Sequence, residues 1–228
     1  MDKYNIKGRI FPTVLTVVLP AIVLNSFFLV PELKKFIGDN LATNIIGNIA
    51  LPSILVFYLS QYVRTLGKEV FQRFYFKGEI NMPTTNFMMY ANSEYTDDYK
   101  TLFREKIRQD FNIILPDKLA EEVNVLEARK KIVEVMSKVR KKLHENEFLL
   151  KHNIEYGAIR NSIGGSLLGI VFCIGNLILF KYFYTNQIAF NISIGLLSFY
   201  VLLLLLSRFF INSYGNSYAK ILFREYLD

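Results

Sequence analysis

The residues best placed for chemistry are four cations that border apolar sequence. Arg64, Lys68 and Arg73 follow one apolar stretch, and Arg160 precedes another. Such groups suit phosphate oxygens, Arg through a planar fork and Lys as a point charge. Two sources of phosphate fit: anionic lipid headgroups at a membrane surface, and a phosphate-bearing ligand. Aromatic residues interleave with these cations, namely Phe71, Phe74, Tyr75, Phe76, Phe87, Tyr90, Tyr95 and Tyr99. Bases stack on such rings, which extends the ligand reading to a short single-stranded oligonucleotide. Plain core packing explains the same rings without any ligand.

A second polar set lies inside the apolar stretches: Asn25, Asn44, Asn48, Asn176 and Asn191. Amides in hydrocarbon are costly unless they pair across helices or line water. Interhelical hydrogen bonding is one reading. The other is a weakly polar pore lined by Asn25, Asn48 and Asn176, which requires a homo-oligomer.

The usual catalytic constellations are missing. The chain has no GxGxxG, Walker-type glycine loop, HExxH or CxxC. Its two histidines, His144 and His152, are eight positions apart, about 12 Å along a helix axis, too far to share a metal. The lone Cys173 lies inside an apolar stretch and reads as packing. All 20 carboxylates lie outside these stretches, so an intramembrane proton relay has no acid. No cofactor or metal is expected, and the sequence argues against an enzyme.

The elements that must position these residues are set by the apolar stretches Ile10–Val30, Ala42–Val63, Ile163–Phe180 and Ile188–Ser207. They hold 21, 22, 18 and 20 residues without one Asp, Glu, Lys, Arg or His. A bilayer core needs about 20 apolar residues at about 1.5 Å rise each, and only helices satisfy their own backbone over such lengths in lipid. The expected fold is an all-α membrane protein with four transmembrane helices in two hairpins and a helical cytoplasmic insert between spans 2 and 3. The first hairpin covers residues 1–63, the insert 64–161, and the second hairpin with a C-terminal tail 162–228.

Orientation follows from the cations. Of 27 Lys and Arg, 24 lie in the two terminal segments and the centre; the hairpin turns hold only Lys34, Lys35 and Lys181. The basic excess marks the cytoplasmic side, which places both termini and the insert there. The insert itself carries 18 basic and 15 acidic residues, a mild excess and not the composition of a nucleic-acid-binding tail.

Within the insert, Leu66, Val70, Phe71 and Phe74 continue a helical face beyond the second stretch. Gly78, Pro83 and Asn92 punctuate a turn region over 77–92. Asp97–Phe111 reads as a helix with acids in its first turn, and Asp117 as the N-cap of the next helix. From Lys118 to Ile159 there is no Pro, which predicts one long helix with a seam at Ile132, Met136, Val139 and Leu143. Arg129, Lys130, Lys131, Lys138, Arg140, Lys141 and Lys142 surround that seam, as a solvated face or as part of a phosphate pocket.

Three short motifs carry a resemblance: Arg64-Thr65-Leu66-Gly67-Lys68-Glu69, Pro83-Thr84-Thr85, and Asn153-Ile154-Glu155-Tyr156-Gly157 with Arg160-Asn161 after it. With the four-span layout, the chain resembles the HalB-like membrane effectors of the Hailong anti-phage defence system, bacterial membrane proteins encoded beside nucleotidyltransferases. The family pattern has an aromatic-Gly-Gly run before Pro-Thr-Thr and a basic residue soon after. Here the flanks read Phe76-Lys77-Gly78 and Asn86-Phe87-Met88 instead. The resemblance implies an oligomeric, channel-like effector of the bacterial inner membrane that binds a nucleotidyltransferase-made oligonucleotide, single-stranded DNA in Hailong. That ligand holds the channel closed, and its loss during infection causes growth arrest by ion leakage. Arg64, Lys68, Arg73 and Arg160 would hold phosphates, with Thr84 and Thr85 as hydrogen-bond donors. Two rivals remain: a four-span effector opened by a cyclic oligonucleotide, and a non-conducting membrane scaffold that recruits a partner through the Ile132–Leu143 seam.

Overall fold

The computed structural model describes residues 3–37 and 50–228, and all regular structure among them is helical. The helices are α1 (Lys3–Glu32), α2 (Ala50–Leu66), α3 (Pro83–Asn86), α4 (Asp97–Phe111), α5 (Lys118–Val123), α6 (Val125–Lys142), α7 (Glu147–Phe183), α8 (Gln187–Leu205) and α9 (Ser207–Leu227). Among the described residues, α1, α7 and α8 are long and apolar enough to cross a membrane. Much of the second apolar stretch, including Asn44 and Asn48, falls on residues outside those described. Its remainder forms α2, and the helix continues through Gly67–Gln72 and Arg73–Phe76.

The chain divides into two compact units. The first comprises Met1–Phe71 and Gly157–Ser207, the second Gln72–Tyr156 and Arg208–Asp228. In the first unit α7 packs backbone-close on its neighbours through glycine. A methyl group at Gly164 would lie 2.3 Å from the Gly67 nitrogen, and one at Gly169 only 2.4 Å from the Thr16 carbonyl oxygen. Helices that lack a hydrophobic driving force between them associate through such small residues.

The second unit has its own core. Phe103 and Ile107 of α4, Ile132, Met136 and Val139 of α6, and Tyr218, Leu222, Phe223 and Tyr226 of α9 are all buried in it. The predicted seam is thus real packing, and a helix whose sequence reads only as a tail shares its core. Alpha-9 takes that place by spacing: Ile211, Tyr218, Ala219, Leu222, Phe223 and Tyr226 recur at helical intervals on its buried side. Tyr226 donates to Asp110 Oδ2 at 2.7 Å, Lys142 reaches the same carboxylate at 2.6 Å, and Lys106 donates to the Leu227 carbonyl at 2.7 Å.

Asp97–Phe111 and the Asp117 cap stand where the sequence puts them, and the Asp117 side chain accepts from the Ala120 N–H. The long helix expected over 118–159 is instead three. Asn124 leaves helical geometry and its side chain caps α6 by accepting from the Glu127 N–H; Asn146 caps α7 by accepting from the Leu149 N–H at 2.8 Å. An asparagine oxygen competes with the backbone for helical N–H groups and restarts the helix on a new axis.

Candidate functional site

The sequence-predicted residues divide between the units: Arg64, Lys68 and Arg160 belong to the first, Arg73, Thr84 and Thr85 to the second. In the first unit Gly67 brings α7 against the stretch that carries Arg64 and Lys68, since a methyl there would lie 2.7 Å from the Arg160 carbonyl oxygen. Arg64 is half-buried and Lys68 exposed. Arg160 is only 8% exposed, an unusual burial for a cation, and its Nε and Nη2 both donate to the Asn161 side-chain oxygen at 3.3 Å.

Asn161 passes the contact on. Its amide nitrogen donates to the Gly8 carbonyl at 2.6 Å. Pro12, four places on, has no N–H, so the ordinary helical donor to that carbonyl is missing. The rest of α1 follows the same rule. Its backbone bonds skip one residue over Ile6–Ile10, Val14–Val18 and Asn25–Leu29, so the Leu19 N–H reaches Val14 rather than Leu15. Pro20, next in line, has nothing to offer Leu15, and the Tyr200 hydroxyl of α8 donates to that carbonyl at 2.9 Å. Asn176 donates to the Pro20 carbonyl at 2.9 Å. A proline-bearing helix in lipid persists because neighbours supply the missing donors. The bond engages Asn176 with backbone, while Asn25 is half-buried in α1 and Asn48 falls outside the described residues.

In the second unit, Pro83-Thr84-Thr85 opens the short helix α3, and the segment around it is held by α6. Lys77 and Gly78 take left-handed conformations, φ 48° and 76°, and turn the chain out of the preceding helix. Arg129 donates to the Ile80 carbonyl at 3.0 Å and the Asn86 side chain at 2.6 Å, and Arg140 pairs with Glu79 at 2.6 Å. Thr84 and Thr85 are buried, and the Thr85 hydroxyl donates to the Glu79 carbonyl at 2.8 Å. Two of the seven cations around the α6 seam are therefore loop anchors.

The aromatic set is mostly structural here. Phe76 and Phe87 are buried, and Tyr95 stacks on Tyr99 at 4.5 Å, with burial pushing the Tyr95 hydroxyl up to about 12. Tyr90 lies under the Arg104 guanidinium, 4.3 Å from ring centre to carbon, while Arg104 pairs with buried Glu121 at 2.5 Å. Beside them the ammonium of Lys100 is fully buried; it donates to the Asn92 carbonyl, and desolvation holds its pKa below the usual range. Among the described residues no group of three His, Cys, Asp or Glu side chains gathers as a metal site. The Asn161 and Tyr200 contacts were not legible as a pair; the usable signal was Pro12 and Pro20 inside an apolar run. No family model, curated protein or solved structure matches the chain.

Proposed function

We propose that the chain is a multi-pass membrane effector of anti-phage defence, forming a channel-like homo-oligomer gated by an oligonucleotide that a nucleotidyltransferase makes. Four spans in two hairpins, with both termini in the cytoplasm of a bacterial inner membrane, accommodate the apolar stretches and the distribution of cations. Ion leakage through the open form arrests growth.

The observation that carries this reading is the relay from Arg160 through Asn161 to Gly8. A phosphate that takes the Arg160 guanidinium competes for the donors now on Asn161. Asn161 in turn holds α1 by an acceptor whose ordinary helical donor position is occupied by Pro12. Arg64 and Lys68, brought near by the Gly67 crossing, are the further cations for the ligand. A ligand shifts such a gate only by binding one state more tightly than the other.

Ion flux from proteoliposomes holding the purified protein, with and without short single-stranded DNA, tests the proposal. The expected result is flux that the DNA suppresses, with suppression weakened at least tenfold in Arg160→Gln. Flux that ignores DNA and responds to a cyclic oligonucleotide keeps the channel and changes the ligand. Absence of flux in every condition overturns the reading and leaves the scaffold.

A further inference from the structure

Three cations of the first unit border apolar runs, and one of them lacks an anion. Arg9 immediately precedes Ile10–Val30, Arg64 immediately follows Ala42–Val63, and Arg160 lies three residues before Ile163. The helices that carry them meet there. Ile6–Ile10 packs against α2, Asn161 of α7 reaches the Gly8 carbonyl, and a methyl at Gly67 would touch the Arg160 carbonyl oxygen. Arg9 is held by Tyr4, whose ring centre lies 5.2 Å from the guanidinium carbon. The Tyr4 hydroxyl in turn lies 3.3 Å from where a methyl at Gly157 of α7 would stand. Lys3 and Lys7 of the same segment are exposed, and water serves them. Arg9 is half-buried, its Nε is sealed from solvent, and among the described residues no hydrogen-bond acceptor or carboxylate meets its guanidinium.

We infer that Arg9 is a further ligand residue of the phosphate site proposed around Arg160, an inference that rests on that reading. Buried polar groups are ordinarily satisfied, and a partly desolvated cation without an anion is costly to keep. A guanidinium fixed over a ring and left in that condition is a donor set held ready for an anion from outside the chain. Phosphate suits it, because the planar fork matches phosphate oxygens and loses little freedom on binding. Arg9 on α1 and Arg160 on α7 would then grip phosphate from the two helices that the Asn161–Gly8 contact joins. The ligand therefore acts on α1 directly as well as through Asn161. Phosphate at this level has two sources, an oligonucleotide arriving from the cytoplasm and a headgroup of the surrounding leaflet.

Binding of a short fluorescent oligothymidylate to the full-length protein in phosphatidylcholine nanodiscs, titrated over a range of salt, tests this. Arg9→Gln should weaken binding at least tenfold and reduce the slope of log affinity against log salt by about 0.7, the share of one phosphate contact on a single strand. Lys7→Gln should stay within about twofold of the parent, as an exposed charge on the same segment. Should the Gln variant fail to fold, Arg9→Lys reads the same contact: it keeps the salt slope and binds several-fold more weakly, because one ammonium replaces the fork. Native mass spectrometry of protein extracted in mild detergent separates the two sources. Unchanged DNA binding with loss of retained phosphatidylglycerol in Arg9→Gln assigns the phosphate to a lipid headgroup. Affinity, slope and retained lipid at the parent's values in both Arg9 variants overturn the assignment. A parent protein that binds no DNA, yet loses lipid in Arg9→Gln, defeats the oligonucleotide reading and keeps Arg9 as a phosphate ligand; flux suppressed by DNA equally in parent and variant, with lipid unchanged, does the reverse.

Discussion

Asn161 donates its side-chain amide across 2.6 Å to the carbonyl of Gly8, whose ordinary helical donor position is Pro12. Asn161→Ala takes that side-chain donor from the buried carbonyl, a loss of about 1–3 kcal/mol. Pro12→Ala supplies an N–H to the same oxygen from within α1. The double variant should therefore be less destabilised than the sum of the two single changes, read as thermal midpoints of the protein in detergent. Strict additivity would show that the two residues do not share the Gly8 acceptor.

Gly164→Ala should be among the least tolerated small changes in the molecule. Its methyl group would meet backbone, the Gly67 nitrogen at 2.3 Å and the Val63 carbonyl oxygen at 2.8 Å, and backbone cannot rotate away. A cost of about 1–3 kcal/mol or more is expected from such overpacking. Gly175→Ala is the control, with nothing within 4 Å of its added methyl group. Size-exclusion profiles of the two variants should differ accordingly, Gly164→Ala broad or absent and Gly175→Ala like the parent.

Arg129→Ala should free the segment around Pro83-Thr84-Thr85. It removes the single guanidinium nitrogen, Nη1, that donates to the Ile80 carbonyl and to the Asn81 and Asn86 side chains. Hydrogen bonds to charged groups contribute about 1.5–3 kcal/mol, so amide exchange over 79–87 should accelerate by roughly tenfold or more. Unchanged exchange there would assign the loop's order to Arg140–Glu79 instead.

The α9 contacts predict loss of stability at both ends of the pH scale. Hydrogen bonds from Lys142 and Tyr226 hold the Asp110 carboxyl below its usual range. Its contribution is present above the unfolded value near 3.9 and is lost as pH falls through the lowered folded value. Tyr226 is raised, by burial first and then by Asp110, so its contribution is present below about 10 and fades as pH climbs beyond that. Tyr95, raised to about 12 by burial, fades over the same alkaline window. Asp110→Asn should flatten the acid limb of a plot of thermal midpoint against pH, and Tyr226→Phe should shrink the alkaline one.

The apolar runs were legible because Ile10–Val30, Ile163–Phe180 and Ile188–Ser207 contain no charge, and α1, α7 and α8 follow them. Asp97 and Asp117 were readable as a helix start and a cap because acids and a proline mark the boundaries. Asn124 and Asn146 were not, since each sits in a charged stretch whose pattern does not change across it. The anchors Arg129 and Arg140 reach 49 and 61 residues back along the chain, and no local pattern announces a pair so distant. Phe76, Phe87 and Tyr95 show the limit of composition: rings that would stack on bases are the same rings that fill a core. For the candidate site, the motif residues Gly67, Arg160 and Asn161 were visible, but their convergence on α1 required the fold.

The core of the second unit is interrupted in the chain by α7 and α8. During synthesis Phe103, Ile107 and Met136 are therefore made long before the Phe223 and Tyr226 that cover them, with two apolar helices to be placed in between. Until then the unit is a half-closed intermediate whose bare apolar surface invites chaperones or aggregation. The same interruption means that residues 72–156 expressed alone lack one wall of their core. A soluble version of this unit should need 208–228 rejoined to it, for which a short engineered linker in place of the apolar helices is the natural design.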